Sequence, residues 1–334
     1  MKILGIETSC DETGISILNW NSVNKVDILS ENISSQIDIH KEYGGVVPEI
    51  AAREHLYNLP ILLDQSLKEA KLKINDIDLI AVTRGPGLKG CLLMGLDFAK
   101  GLILSLDKPG VAVNHIEGHL YAPFINKEIE YPFLALIVSG GHTEIVKVSS
   151  FSEYEILSRT IDDAAGEAFD KSASLLGFEY PGGAALAALA DKAESSDFKL
   201  PKVMRGNKDF SFSGLKTAVS LLIKKNQKEI LDKKMELAFS IQEAIINTLI
   251  DKLKIAIKET GIKNIVVTGG VSANKSLRTK IESIKGLDIF FPKIEHCMDN
   301  ASMIAFVGGL RFDKSSALSQ KTSVLSRWPI ESIE

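Results

Sequence analysis

Twice along its 334 residues the chain runs through the same order of elements, and that repeat constrains the fold more than any other feature. In the first pass, the apolar runs 3–6 and 15–18 flank the polar turn 8–14 and predict a hairpin, with a third strand over 26–30. Residues 48–70 have helical periodicity, with Pro60 as a kink or a break. A strand over 79–83, a glycine turn, a helix over 90–106 and a strand over 111–113 follow. The second pass opens on a hairpin of 134–139 and 143–148 around Gly140-Gly141-His142. It continues with a strand at 154–159, helices at 163–176 and 236–260, and a strand at 265–268. The turn Gly269-Gly270, a helix from Ser272, a strand at 289–291 and a closing helix at 299–312 complete it. Two α/β lobes are the expected architecture, divided as 1–130 and 131–298, with 299–334 packing back on the first.

Between the passes lies His115-Ile116-Glu117-Gly118-His119. Histidines four apart on a helix lie about 40° from one another, so both imidazoles can reach one metal ion. They can also be a pair that merely caps or packs. Glu117 is about 200° round the helix from His115. A peptidase glutamate directly follows the first histidine, whereas Glu117 is expected to face away from the ion, where it cannot polarise a bound water. The motif thus argues for a metal and against a metallopeptidase. Ligands of open α/β sheets gather beyond the carboxyl ends of strands. His115 and His119 follow the last strand of the first pass and Asp299 the last strand of the second. If the halves face each other, the three converge across a cleft as an iron or zinc site. Asp299 taken alone can equally be a helix cap.

A net charge of −4 and a pI near 6.0 give no global attraction to nucleic acid, which leaves a local patch or a partner to supply it. The one candidate patch is an insertion without clear periodicity, 180–215, where Lys199, Lys202, Arg205 and Lys208, with Lys216 just beyond, mix with Phe198, Phe210 and Phe212. Such a mixture can grip a single strand, or be a solvated loop with packing aromatics. The lysine-rich run 224–234 reads as a solvated face. Cys10, Cys91 and Cys297 form no CxxC pair and suit a reducing compartment, with Cys10 a small buried thiol rather than a nucleophile. The early carboxylate Glu7 argues against a signal peptide, and the most apolar helix candidate, 91–106, is too short and too charged to span a bilayer. A cytoplasmic protein is expected.

Gly85-Pro86-Gly87-Leu88-Lys89-Gly90 matches GxGxxG, but three strands and a helix precede it, and Asp107 follows a helix where a ribose-binding acid should end a strand. The pairs Gly140-Gly141, Gly182-Gly183 and Gly269-Gly270 are better candidates for bringing backbone N–H groups to a phosphate or nucleotide. Glu167 and Asp170 share a helix face; one can hold a ribose, or both can be solvated.

These motifs together resemble one family, the bacterial tRNA N6-adenosine threonylcarbamoyltransferases, formerly described as glycoproteases. The resemblance covers nearly the whole chain. It rests on LGIETSCDETG from Leu4, YGGVVPEIAARE from Tyr43, GPG from Gly85, HIEGHL from His115 and VSGGHT from Val138. DDAAGEAFDK from Asp162, DFSFSGLKT from Asp209, GGVSANKSLR from Gly269 and DNASMIA from Asp299 complete it. It implies two actin-like lobes, as in sugar kinases and heat-shock ATPases, with the active site in the cleft between them. It implies metal ligands at His115, His119 and Asp299, holding one divalent ion, Fe2+ ahead of Zn2+. Adenylate contacts are implied at Ile137, Val138, Ser139, Gly140, Gly141, Asp170, Gly183 and Asn274, with Asp11 and Glu12 as acidic residues at the catalytic centre. Ser302, where many members carry glycine or alanine, is expected behind the ligands. The implied substrates are tRNA and threonylcarbamoyl-AMP; the implied partners are a second actin-like protein and a small ATPase, with no membrane. The stripe Ile50, Leu56, Leu59 and Leu63 can dock the partner or face the core. An ATP-driven chaperone or kinase would share the fold.

Overall fold

In the computed structural model, which describes residues 1–125, 127–201, 207–225, 232–312 and 318–333, each pass through the repeated order builds its own five-stranded sheet. The chain divides into two units, Met1–Glu128 with Pro292–Glu334, and Ile129–Phe291. The second unit ends at Phe291 rather than at 298.

In the first unit β1 (Lys2–Glu7), β2 (Glu12–Ser22) and β3 (Lys25–Ser35) are antiparallel, followed by α1 (Ile37–Lys41) and α2 (Pro48–Ala70). Then come β4 (Leu79–Gly85), α3 (Lys89–Leu106), β5 (Gly110–Asn114) and α4 (His115–Tyr121). The sheet order is β3-β2-β1-β4-β5, with β4 parallel to β1 and β5 parallel to β4. Alternation along β1 sets two layers. Leu4 and Ile6 enter a core with Leu59 and Leu62 of α2 and Leu96 of α3. Gly5 points the other way, and Glu7, two residues on, shares its face. Helix α2 runs unbroken through Pro60; Pro60 and Leu56 are both exposed, where water can take the hydrogen bond that proline removes. Leu59 and Leu63 of the α2 stripe are buried in the core, so the stripe is not an open docking surface.

In the second unit β6 (Phe133–Val138), β7 (Thr143–Ser150) and β8 (Glu153–Arg159) lead to α5 (Ala165–Leu175), α6 (Gly183–Ala190), α7 (Ser213–Lys225) and α8 (Lys234–Thr260). They are followed by β9 (Asn264–Thr268), α9 (Lys275–Glu282) and β10 (Asp288–Phe290). The sheet order is β8-β7-β6-β9-β10, so in both units the chain's strands lie third, second, first, fourth, fifth. The repeat is therefore one of topology. Leu237, Ile241, Ile245, Leu249 and Leu253 recur along one face of α8 and share a core with Leu134 and Leu136 of β6.

The insertion is more ordered than its composition suggested. Helix α6 lies within it, and its chain runs along the edge of β8, where Phe210 N donates to Arg159 O at 3.0 Å and Ile161 N to Phe210 O at 3.0 Å. Asp162 accepts from Phe212 N at 2.7 Å and from the Ser211 and Ser213 hydroxyls at 2.5 and 2.7 Å, tying down the start of α7. Phe210 and Phe212 are buried in the core and Phe198 packs against it, so these aromatics are not a stacking platform for bases. Lys199, Lys208 and Lys216 are exposed, and Lys208 pairs with Glu259 at 2.8 Å. Lys202, Arg205 and most of the run 224–234 lie outside the described residues.

The closing helix α10 (Ala301–Phe312) belongs to the first unit, packed on the face of β1, β2 and β4 opposite α2 and α3. It is apolar nearly all round and buried along most of its length. A side chain at Gly5 would collide with the Ala301 carbonyl, and one at Gly308 with Ala81, so small residues allow this close approach. Among the described residues, no helix is long and apolar enough to cross a membrane.

Candidate active site

Asn114 starts the metal motif. Its side-chain oxygen accepts from Ile116 N and Glu117 N at 2.9 and 3.3 Å, so α4 begins at His115, directly beyond β5. The His115 and His119 rings meet edge to face with centroids 4.7 Å apart. Asp299 Oδ1 is 2.9 Å from His119 Nε2 and 3.5 Å from His115 Nε2. Two ligand atoms each about 2.1 Å from a tetrahedral ion lie roughly 3.4 Å apart, so this donor set fits one divalent ion. Asp299 is not the helix cap. Asn300 takes that role, its Oδ1 accepting from Met303 N at 2.9 Å, which leaves the Asp299 carboxylate to face the histidines. All three expected ligands lie within the first unit, because 292–334 packs there; they do not come from opposite halves.

Glu7, which the sequence motifs gave no part in the site, belongs to it. It ends β1 completely buried, with Oε1 accepting from Ser9 N at 2.6 Å and Oε2 accepting from the Thr83 hydroxyl at 2.6 Å. The same Oε2 is 3.1 Å from His115 Nδ1. Burial pushes the Glu7 carboxyl up, but neighbouring His115 outweighs it and holds the group below its ordinary value. For His115, burial opposes protonation, yet Asp299 and then Glu7 overcome it and raise the imidazole to about 9. With Nδ1 engaged by Glu7, Nε2 is the atom presented to an ion. Its only local signal was a carboxylate closing an otherwise apolar strand.

Asp11 and Glu12 stand where β1 turns into β2. Burial, then the charges of Asp299 and Asp11, push the Glu12 carboxyl well above the usual range. Buried His55 of α2 braces this turn: Nε2 donates to Cys10 O at 2.9 Å, so Nδ1 accepts from the Thr13 hydroxyl at 2.7 Å. Burial lowers His55 and keeps it neutral, consistent with that pattern. Burial and Asp11 raise the Cys10 thiol, which removes it as a nucleophile. Ser302, at the start of the closing helix, has its hydroxyl 2.8 Å from that of Ser16 and its N–H donating to Glu31 at 3.0 Å.

Glu117 is buried and gripped by Arg311 of α10, with Nε to Oε2 at 2.6 Å and Nη2 to Oε1 at 2.7 Å. Peptidase chemistry through Glu117 is thereby removed.

Of the expected adenylate residues in the second unit, Val138 ends β6, Ser139, Gly140 and Gly141 follow it, and Asn274 follows β9. Ser139 N donates to His142 O at 2.8 Å, closing the turn that holds Gly140 and Gly141, and Gly166 N at the start of α5 donates to Ser139 O at 3.1 Å. A Cβ on Gly140 or Gly141 would meet nothing, so their backbone is open to a ligand. Gly269 has φ +90°, and a Cβ there would lie 2.5 Å from Val138 O; only glycine lets this turn sit against the end of β6. Asp170 Oδ1 accepts from Gly183 N at 2.7 Å, uniting two expected residues, and burial raises its carboxyl. Glu167 and Asp163, both half-buried, are engaged by Lys171 at 2.7 Å. Asn274 is structurally committed: Oδ1 caps α9 by accepting from Leu277 N at 2.9 Å, and Nδ2 donates to Gln242 at 2.8 Å. Ile137 lies inside β6. The GxGxxG amides are consumed internally, Gly87 N by Ser326 O and Leu88 N by Ser9 O, at 3.2 and 2.8 Å.

Comparison with known proteins agrees with these motifs. A family model described as tRNA N6-adenosine threonylcarbamoyltransferase matches residues 27–306. The protein of that name from Polynucleobacter necessarius is 46% identical, covering 99% of each chain. That from Thermosipho melanesiensis is 50% identical, covering 95% of this chain and 97% of its own. Among solved structures, component A of (R)-2-hydroxyglutaryl-CoA dehydratase from Acidaminococcus fermentans superposes with a TM-score of 0.56 at 17% identity, over 94% of this chain and all of that one, which supports an actin-like ATPase fold. The chain belongs to the tRNA N6-adenosine threonylcarbamoyltransferase family.

Proposed function

We propose that this enzyme transfers the threonylcarbamoyl group from threonylcarbamoyl-AMP to the N6 amine of the adenosine beside the anticodon, in tRNAs reading codons that begin with A. The observation that carries this reading is the His115, His119 and Asp299 cluster with Glu117 turned away to Arg311, in a chain of this family. A divalent ion held there, Fe2+ ahead of Zn2+, supplies Lewis-acid polarisation of a phosphate or carbamoyl oxygen. Glu7 sets the ring of His115, and Asn114 sets the start of the helix that carries both histidines.

In the second unit the Val138–Gly141 turn, following Ile137, offers backbone N–H groups to the adenylate, and Asp170 holds Gly183 beside it. The adenosine amine attacks the carbamoyl carbon, the bond to the phosphate oxygen breaks, and AMP leaves with that electron pair. Glu12, its carboxyl pushed up by burial and then by the charges of Asp299 and Asp11, accepts the amine proton. Nucleoside analysis of tRNA after depletion of the protein tests the reading. Threonylcarbamoyladenosine should disappear; an unchanged level would overturn it.

Asp170→Ala should weaken a non-hydrolysable threonylcarbamoyl-AMP mimic about ten-fold or more by calorimetry, since a hydrogen bond to a charged group contributes about 1.5–3 kcal/mol. Metal affinity should not change. Asn274→Ala should in addition cost about 1 kcal/mol of stability through the lost cap of α9. Partners of the reaction are proposed to be a second actin-like protein and a small ATPase, as the motifs imply. The net charge of −4 supports this, because such a chain gains little from counterion release on tRNA alone.

A further inference from the structure

Of the three inner residues of the histidine motif, Glu117 and Gly118 have no place in the chemistry, yet both touch the helix that follows Asp299. Glu117 and Arg311 are buried and joined by two short hydrogen bonds, at 2.6 and 2.7 Å. Next to it, Gly118 brings α4 against α10 so closely that a Cβ would lie 2.9 Å from Ile304 Cδ1 and 3.1 Å from Met303 Cγ. The ion pair and the missing side chain act on one packed pair of helices, α4 carrying two ligands and α10 beginning two residues after the third. We propose that Glu117 and Gly118 are positioning residues, a clamp that sets the separation and register of α4 against α10 and so holds His115 and His119 at Asp299. A fork of two parallel hydrogen bonds fixes direction as well as distance, which a lysine in place of Arg311 cannot do.

This inference rests on the three ligands holding the ion, and its test separates the two. The full chain is stripped of metal and titrated with Co2+ alone, reading affinity and the visible d–d bands, with circular dichroism and thermal melts alongside. Glu117→Gln and Arg311→Lys, folded at the assay temperature, should bind Co2+ about 10–100-fold more weakly, with altered bands, the loss typical when a supporting contact of a metal site goes. Gly118→Val should do the same by wedging the helices apart. Folded variants with wild-type affinity and bands, even with a lowered melting temperature, would make the pair merely structural and overturn the proposal. Should Glu117→Gln fail to fold, Arg311→Lys and Gly118→Val decide by the same two outcomes. His119→Ala is the control: Co2+ binding equal to wild type in that variant would refute the metal site itself.

Discussion

His119→Ala should leave a folded protein that retains almost no metal and almost no transferase activity. The imidazole is buried and its Nε2 lies 2.9 Å from Asp299, inside the cluster that would hold the ion. Losing a ligand should weaken binding by more than the roughly 10–100-fold that loss of a supporting contact brings. Lewis-acid stabilisation amounts to several kcal/mol, so the rate with tRNA and threonylcarbamoyl-AMP should fall on the order of a thousand-fold. The fold should survive, because Asn114 still caps α4 and Glu117 still holds Arg311. Elemental analysis and single-turnover transfer on the same preparation are the measurements. Full metal content with full activity would remove His119 from the site.

Most of the fold was legible because its signals are local. Period-two runs marked the strands, and glycine turns marked where each sheet passes to a helix. Helix α6 was missed because its Ala-rich sequence has little bulk to show a period, although Leu186 and Ala190 are buried one turn apart. Phe210 and Phe212 were open to misreading for a related reason. Phe-Ser-Phe beside lysines resembles an exposed stacking surface, whereas here it follows the edge of β8 and feeds the core. At the candidate metal site the grouping of His115, His119 and Asp299 was legible from helical geometry and motif, but what supports it was not. Glu7 reaches His115 and Glu117 reaches Arg311 across long stretches of sequence, and no local period connects such pairs. Of the two readings of Asp299, one faced the histidines from an opposite half and the other packed back on the first lobe with 299–334; the structure has the second. The apolar circumference of α10 carries it onto the first sheet, where Gly5 leaves it room.

Metal affinity should climb steeply with pH, and His115 sets the slope. Without metal, Asp299 and Glu7 overcome burial and raise its imidazole to about 9, so at pH 6 to 8 the ring carries a proton that an incoming ion must displace. One displaced proton makes affinity rise about ten-fold per pH unit, roughly a hundred-fold between pH 6 and 8, flattening as pH approaches 9. Stability runs the opposite way in the metal-free protein. A folded-state pKa raised above the ordinary 6.5 contributes stability that is complete below 6.5 and is lost as pH rises through about 9. Metal-free protein should therefore melt at lower temperature as the solution is made alkaline, while added metal should stabilise it more at each step. Calorimetric titration in buffers of differing ionisation enthalpy counts the released proton, and chelator competition gives the slope. Affinity independent of pH between 6.5 and 8.5, with no proton released, would show that His115 is already neutral and that Glu7 and Asp299 do not charge it.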